Sequence, residues 1–238
     1  MLGSPDLTPY DLRFRFMAIP VRVHPLFWLV MLLLSGQISR EDFDLSAAAV
    51  FVVCAFISIL VHEFGHGLAG RLMGDEPQEI VLYAMGGFCA FQANRLSGWR
   101  RLFMLGWGPG AGFVLFGAVF AFYVFPNRPT SLLLELALAD LMFINVVWGV
   151  LNLFPLWPLD GGQIVGTGLS MFSPRNGMRW AHTISLLVAG GLAVWLVSTG
   201  FDFMMALWFG YFGFINYRML QAMHYAHHTS GDAEWWRR

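Results

Sequence analysis

The chain has 238 residues, of which 57% are hydrophobic and 12% charged, with a mean hydropathy of +0.60. Soluble domains carry about 25% charged residues, so this composition excludes an ordinary soluble enzyme and predicts a polytopic membrane protein with the lipid bilayer as its surroundings. The formal net charge of −1 gives no sign of a nucleic-acid partner, and two cysteines, Cys54 and Cys89, are too few for a disulfide framework.

Met1 to Phe16 mixes Asp and Arg without the short apolar core and cleavage site of a signal peptide. Leu12-Arg-Phe-Arg-Phe16 alternates, so residues 12–23 read as strand-like; alternatively Ile19 to Val23 dips into the interface and lengthens the first span. The apolar runs then predict about six transmembrane helices, near residues 25–36, 45–73, 99–125, 131–154, 178–198 and 201–223. No internal repeat is visible. The expected fold is an all-α polytopic membrane protein, one domain over residues 1–238, with a small β-hairpin or sheet between the second and third helices.

The second span carries His62, Glu63 and His66 as H-E-x-x-H. One helical turn separates the histidines, so both imidazoles face the same side and can share a zinc ion. The glutamate between them can take a proton from a water on that ion. Seventeen residues lead from Leu45 to His62, or about 26 Å of travel through a hydrocarbon core about 30 Å thick.

Residues 78–92 follow, too short an apolar stretch to span, with Gly86-Gly87 at the middle as the expected turn of a hairpin. Such a hairpin either lies on lipid as a surface loop or dips beside the metal. An exposed strand edge there would hold an unwound peptide in extended form, with Gly86, Gly87 and Phe88 as candidate substrate-binding residues. Gly106, Gly108, Gly110 and Gly112 surround Pro109 and read as a close helix-packing surface, or as a hinge for substrate entry.

Catalytic zinc usually takes a third protein ligand. Ala69 and Leu72 stand where the metzincin extension needs Gly and His, which excludes that pattern. Glu76 and Glu79 are possible donors just after the helix. Asp160 is the better candidate, because it ends Asn152-Leu-Phe-Pro-Leu-Trp-Pro-Leu-Asp160-Gly-Gly at the same membrane face as the histidines. It could instead only N-cap a short helix beginning at Gly161. Farther along, His182 reads as a polar helix contact, His24 as a headgroup-level residue, Asp140 as paired or solvated, and His224, His227 and His228 as solvated tail. With six spans, twelve of the fourteen arginines fall on one side and only Arg40 and Arg128 on the other. The arginine-rich side is cytoplasmic, which puts both termini in the cytoplasm and the zinc in the cytoplasmic half of the bilayer.

H-E-F-G-H on one span and N-x-x-P-x-x-x-L-D-G-G on a later one resemble the site-2 protease family of intramembrane zinc metalloproteases, peptidase family M50. Met85-Gly86-Gly87 is similar to that family's glycine pair and Gly108-Pro109 to its G-P element. The resemblance implies one zinc per chain held by His62, His66 and Asp160, Glu63 as catalytic base, and Asn152 as a group holding substrate or oxyanion. It implies hydrolysis of peptide bonds in or near transmembrane segments, a membrane-protein substrate such as an anti-sigma factor or another membrane-tethered regulator, and residence in a bacterial inner membrane. With no PDZ insertion or C-terminal sensing domain legible, a minimal member is expected, regulated by another membrane protein. The competing readings are a catalytically silent relative that binds membrane proteins, and a metal or proton transporter.

Overall fold

The computed structural model describes residues 5–37, 43–92, 96–126, 128–200 and 203–232, with side chains to residue 225. Arg40, Arg95, Arg237, Arg238 and the side chains of His227 and His228 lie outside this description. The chain divides into two compact units: residues 1–96 with 103–151, and residues 97–102 with 152–238.

The first unit opens with strand β1 (Leu12–Phe16), whose partner is β2 (Ile19–Val23) across a turn at Met17 and Ala18, both at positive φ. Ile19 to Val23 therefore does not extend a membrane helix. Ile19, Val21 and Val23 are fully buried instead, and β2 pairs in parallel with β3 (Pro77–Tyr83), which pairs antiparallel with β4 (Gly86–Phe91). The sheet order is β1-β2-β3-β4, leaving β4 at an edge. Parallel strands need a long crossover; here it is α1 (Pro25–Leu34) followed by α2 (Leu45–Met73). Arg22 is buried in β2, where Pro5 O at 3.2 Å, Asp11 at 3.4 Å and Glu79 at 3.5 Å surround its guanidinium. Such partners are what make a buried charge tolerable.

The hairpin turn is not at Gly86-Gly87. Tyr83 pairs with Gly86, so the turn is Ala84-Met85, with Ala84 at φ 48°, and both glycines lie inside β4. Their missing side chains serve close approach rather than turn geometry. His24 is also not merely a headgroup-level residue: its Nδ1 accepts from Leu26 N at 3.1 Å and caps α1, and its ring meets Tyr83 edge-on at 4.9 Å.

Helix α2 is delimited by its own chemistry. Asp44 accepts from Ser46 N and Ala47 N at its start, and Gly74 at φ 96° ends it, the left-handed cap that glycine favours. Its apolar N-terminal half packs with α1, β2 and β3 around Phe27, Met31, Ala55, Ile59 and Phe64. In its C-terminal half, glycines let neighbours press in. A Cβ on Gly67 would lie 3.3 Å from Ile19, 3.4 Å from Cys89 and 3.7 Å from Pro77, and one on Gly70 would strike Phe91. The sheet therefore lies against the His62–Gly70 stretch. Helix α3 (Gly98–Tyr123) crosses α2 at Gly65, where a Cβ would collide with the Trp107 carbonyl and Ala111. Helix α4 (Leu132–Asn152) adds a polar tie, Asn145 Nδ2 donating to Ser58 Oγ at 2.9 Å.

The second unit contains α5 (Asp160–Phe172), α6 (Gly177–Thr199) and α7 (Phe203–Asp232). α6 and α7 pack as a pair, joined in the buried interior by His182 and Asn216. Helix α4 ends at Asn152 because Pro155 cannot continue a helix and disfavours helical geometry at the residue before it. Helix α5 begins where that turn finishes, at Asp160 rather than at Gly161. Among the described residues α2, α3, α4 and α6 are long and apolar enough to cross a membrane, while α1 is a shorter apolar helix. The protein is thus an integral membrane protein by helix length and composition, mostly helical with one small four-stranded sheet.

Candidate active site

The centre of the first unit is the stretch of α2 from His62 to Gly67, buried all round. His62, Glu63 and His66 are 3%, 4% and 6% exposed in a helix with seventeen predominantly apolar residues before them. The i, i+4 spacing brings His62 Nε2 to 3.2 Å from His66 Nε2, with ring centroids 4.9 Å apart and planes at 81°. Two nitrogen ligands on one tetrahedral zinc, each at about 2.0–2.1 Å, sit about 3.3 Å from one another. The rings are therefore aimed at a common point. His66 Nδ1 lies 3.0 Å from Met104 O of α3; because a carbonyl only accepts, Nδ1 carries the hydrogen and Nε2 keeps its lone pair.

Room for these groups comes from glycines on the facing elements. A Cβ on Gly108 of α3 would strike the His66 imidazole and stand 2.9 Å from His62 Nε2. A Cβ on Gly87 of β4 would stand 2.8 Å from Glu63 Cγ and 3.0 Å from Glu63 Oε1. Gly87 is thus the point where the sheet edge reaches the candidate base. Gly86 instead faces Trp148, 3.3 Å from where its Cβ would be, and Phe88 pairs with Val81 in the hairpin. The glycines around Pro109 divide by helical face. Gly108 fits the imidazoles and Gly112 the Asn145 side chain, whereas a Cβ on Gly106 would meet nothing within 4 Å. Close packing holds for one face only.

The two alternative donors of this unit are committed elsewhere. Glu76 is exposed and pairs with Arg71 at 2.9 Å, and Glu79 faces Arg22. In the second unit, Asn152 is the last residue of α4 and Asp160 the first of α5, both buried. The N-cap position of α5 belongs to Leu159, which makes no side-chain cap hydrogen bond, so Asp160 is not the N-cap residue. Gly161 and Gly162 are required by the same turn: a Cβ on either would collide with the backbone of Leu153 and Phe154, or of Leu156 and Trp157. The L-D-G-G pattern therefore encodes a chain folded tightly back over the first turn of α5. His182 meets the expectation of a polar helix contact, 2.8 Å from Asn216 Oδ1.

Two buried imidazoles and a buried carboxylate, each offering one ligand atom, are a donor set that suits zinc. The two histidines and the glutamate between them stood out by their i, i+4 spacing, and Asp160 by the membrane face expected for its segment. Met104 was not, since it acts through its backbone carbonyl and leaves no side-chain signal. Gly108 carried a signal, a glycine before proline, but its task against the imidazoles was not readable from it.

Residues 29–197 match the Peptidase M50B-like family. A zinc metalloprotease of Methanocaldococcus jannaschii is 27% identical over 196 residues, covering 80% of this chain and 54% of that protein. Stage IV sporulation protein FB of Bacillus subtilis is 22% identical over 174 residues, covering 71% and 53%. The chain spans about half the length of the curated relatives it matches. In fold it is similar to a site-2 protease from Methanocaldococcus jannaschii, with a TM-score of 0.58, 23% identity and coverage of 89% of this chain and 95% of that one.

Proposed function

This chain belongs to the Peptidase M50B-like family, and on that premise we propose that it is an intramembrane zinc endopeptidase, cutting peptide bonds in or near transmembrane segments of other membrane proteins. The observation that carries the reading is the 3.2 Å approach of the two imidazole nitrogens, with Glu63 between them in sequence, inside a buried stretch of an apolar 29-residue helix.

His62, His66 and Asp160 would hold one zinc per chain. The bound ion supplies Lewis acidity, which makes water a nucleophile near neutral pH and polarises a carbonyl. Glu63 accepts the proton of the attacking water at its carboxylate and returns it to the leaving amine. The His66–Met104 hydrogen bond keeps the ring in one orientation and one tautomer. Asn152 donates its side-chain amide to the developing oxyanion. Substrate enters as a locally unwound segment, since a helix hides its carbonyls in its own hydrogen bonds. The outer edge of β4, which reaches Glu63 at Gly87, pairs with that segment at Gly86, Gly87 and Phe88. Helix-breaking residues near the cut site are therefore expected in substrates.

The two units act as one catalytic domain crossing the membrane six times. α1 is about 15 Å long, half a bilayer, because it starts from β2 in the sheet beside the His62–Gly70 level of α2 rather than at the membrane surface. The arginine bias supports both termini in the cytoplasm and the zinc in the cytoplasmic half, and the family resemblance supports a bacterial inner membrane. A membrane-tethered regulator such as an anti-sigma factor is the substrate class that the family resemblance implies, with a second membrane protein as regulator. The test is co-reconstitution of the chain with a candidate substrate. Glu63→Gln should keep zinc near one per chain by elemental analysis and lose about 10²–10⁴-fold in cleavage rate. Equal cleavage by both proteins refutes the mechanism, and a wild-type protein without zinc refutes the assignment.

A further inference from the structure

The Asn152–Leu159 turn that leads into Asp160 is held from α6 and α7 by a buried polar set. Trp157 N donates to Ser185 Oγ at 2.9 Å, and Ser185 Oγ donates to Pro155 O at 3.4 Å. Asn216 Nδ2 donates to Trp157 O at 2.8 Å and to Phe212 O at 2.8 Å, using both of its hydrogens. Its Oδ1 then accepts from His182 Nδ1 at 2.8 Å, and the His182 ring packs 5.2 Å from Trp157. His182, Ser185 and Asn216 are 2%, 0% and 0% exposed. Polar groups at such depth in membrane helices are costly and rarely idle. A plain interhelical tie would need only the His182–Asn216 pair. Here both the N–H and the carbonyl of one residue, Trp157, are fixed as well, three residues before Asp160. The amide of Asn216 cannot flip, since a flip would set its oxygen against two carbonyls.

We infer that Asn216, oriented by His182 and assisted by Ser185, is a positioning residue for Asp160: by clamping the Trp157 peptide it fixes the turn that sets the carboxylate at the start of α5. The inference rests on Asp160 being a zinc donor. Outer partners of metal ligands typically change metal affinity by about 10–100-fold when removed, and this clamp acts one step further out, through the backbone.

The test uses the full chain in detergent, with zinc affinity from chelator competition, the visible spectrum of the Co(II)-loaded protein and the thermal midpoint. Asn216→Asp keeps the acceptor for His182 but removes the donor to Trp157 O; Ser185→Ala removes the acceptor for Trp157 N, and Ser185→Thr restores it. Both disruptive variants should bind zinc on the order of tenfold more weakly with altered Co(II) bands, and Ser185→Thr should recover both readouts. Wild-type affinity and spectrum in Asn216→Asp and Ser185→Ala, whatever the thermal midpoint, overturn the inference. Should Asn216→Asp fail to fold, the Ser185 pair decides. Asp160→Asn separates the premise: wild-type affinity there removes the premise and the inference together. Lost affinity there beside unchanged Asn216→Asp and Ser185→Ala removes the positioning role alone.

Discussion

Glycine is the residue whose meaning depends most on what stands opposite it. Gly108 and Gly87 lie in regular structure at negative φ, so neither is needed for backbone freedom. At Gly108 the His66 imidazole occupies the space of a Cβ, and at Gly87 the Glu63 and Leu82 side chains do. Gly108→Ala is therefore expected to displace the His66 ring. Zinc content should fall below a tenth of wild type, with overpacking costing about 1–3 kcal/mol, as elemental analysis and thermal unfolding will measure. Gly87→Ala should leave zinc in place but push Glu63 off its line, lowering kcat at least tenfold, whereas Gly86→Ala has only the Trp148 ring to accommodate at 3.3 Å and should cost far less. A turnover rate unchanged in Gly87→Ala would break the link between the sheet edge and the base.

At the scale of elements, the sheet takes the place that the sequence pattern gave partly to a membrane span. Its outer tie is the group of Asp11, Arg22 and Thr8. Burial alone would raise the Asp11 carboxyl, but hydrogen bonds from Thr8 and Arg22 and the Arg22 charge outweigh it and hold the pKa at about 2, below its ordinary 3.8. A depressed folded-state pKa stabilises the fold above the unfolded value, and that contribution fades as pH falls through the folded one. Wild type should thus be more stable than Asp11→Asn at pH 5 to 7, and the gap should close as the pH drops from about 4 towards about 2. At the far end of α2, Gly74 has φ 96° and open space around its Cβ. Gly74→Ala should cost about 1 kcal/mol through backbone strain alone, read as a lower unfolding midpoint with unchanged zinc affinity. Helix α1 leaves directly from β2, in the sheet that lies against the His62–Gly70 stretch of α2.

At the scale of the molecule, the arginine bias predicts that a fluorescent reporter fused to the C-terminus folds and emits in the cytoplasm, and that Glu63 lies below the membrane surface on that side. A dark, translocated reporter would invert the orientation and move the cut to the opposite face. What the sequence determined by itself were the short-range periodicities: apolar runs of bilayer length, and the i, i+4 histidines flanking a glutamate. It also showed the L-D-G-G element and an alternating N-terminal segment. These follow from local rules, because helix pitch and strand pleat fix which neighbours share a face. Tertiary structure alone decided that Ile19 to Val23 is an interior strand, that the hairpin turns at Ala84-Met85, and that Gly108 and Gly87 stand against His66 and Glu63. It also decided that the Met104 carbonyl fixes an imidazole. Each of those depends on what approaches from a distant part of the chain, and a residue's identity records that it is small or polar without recording the neighbour that requires it.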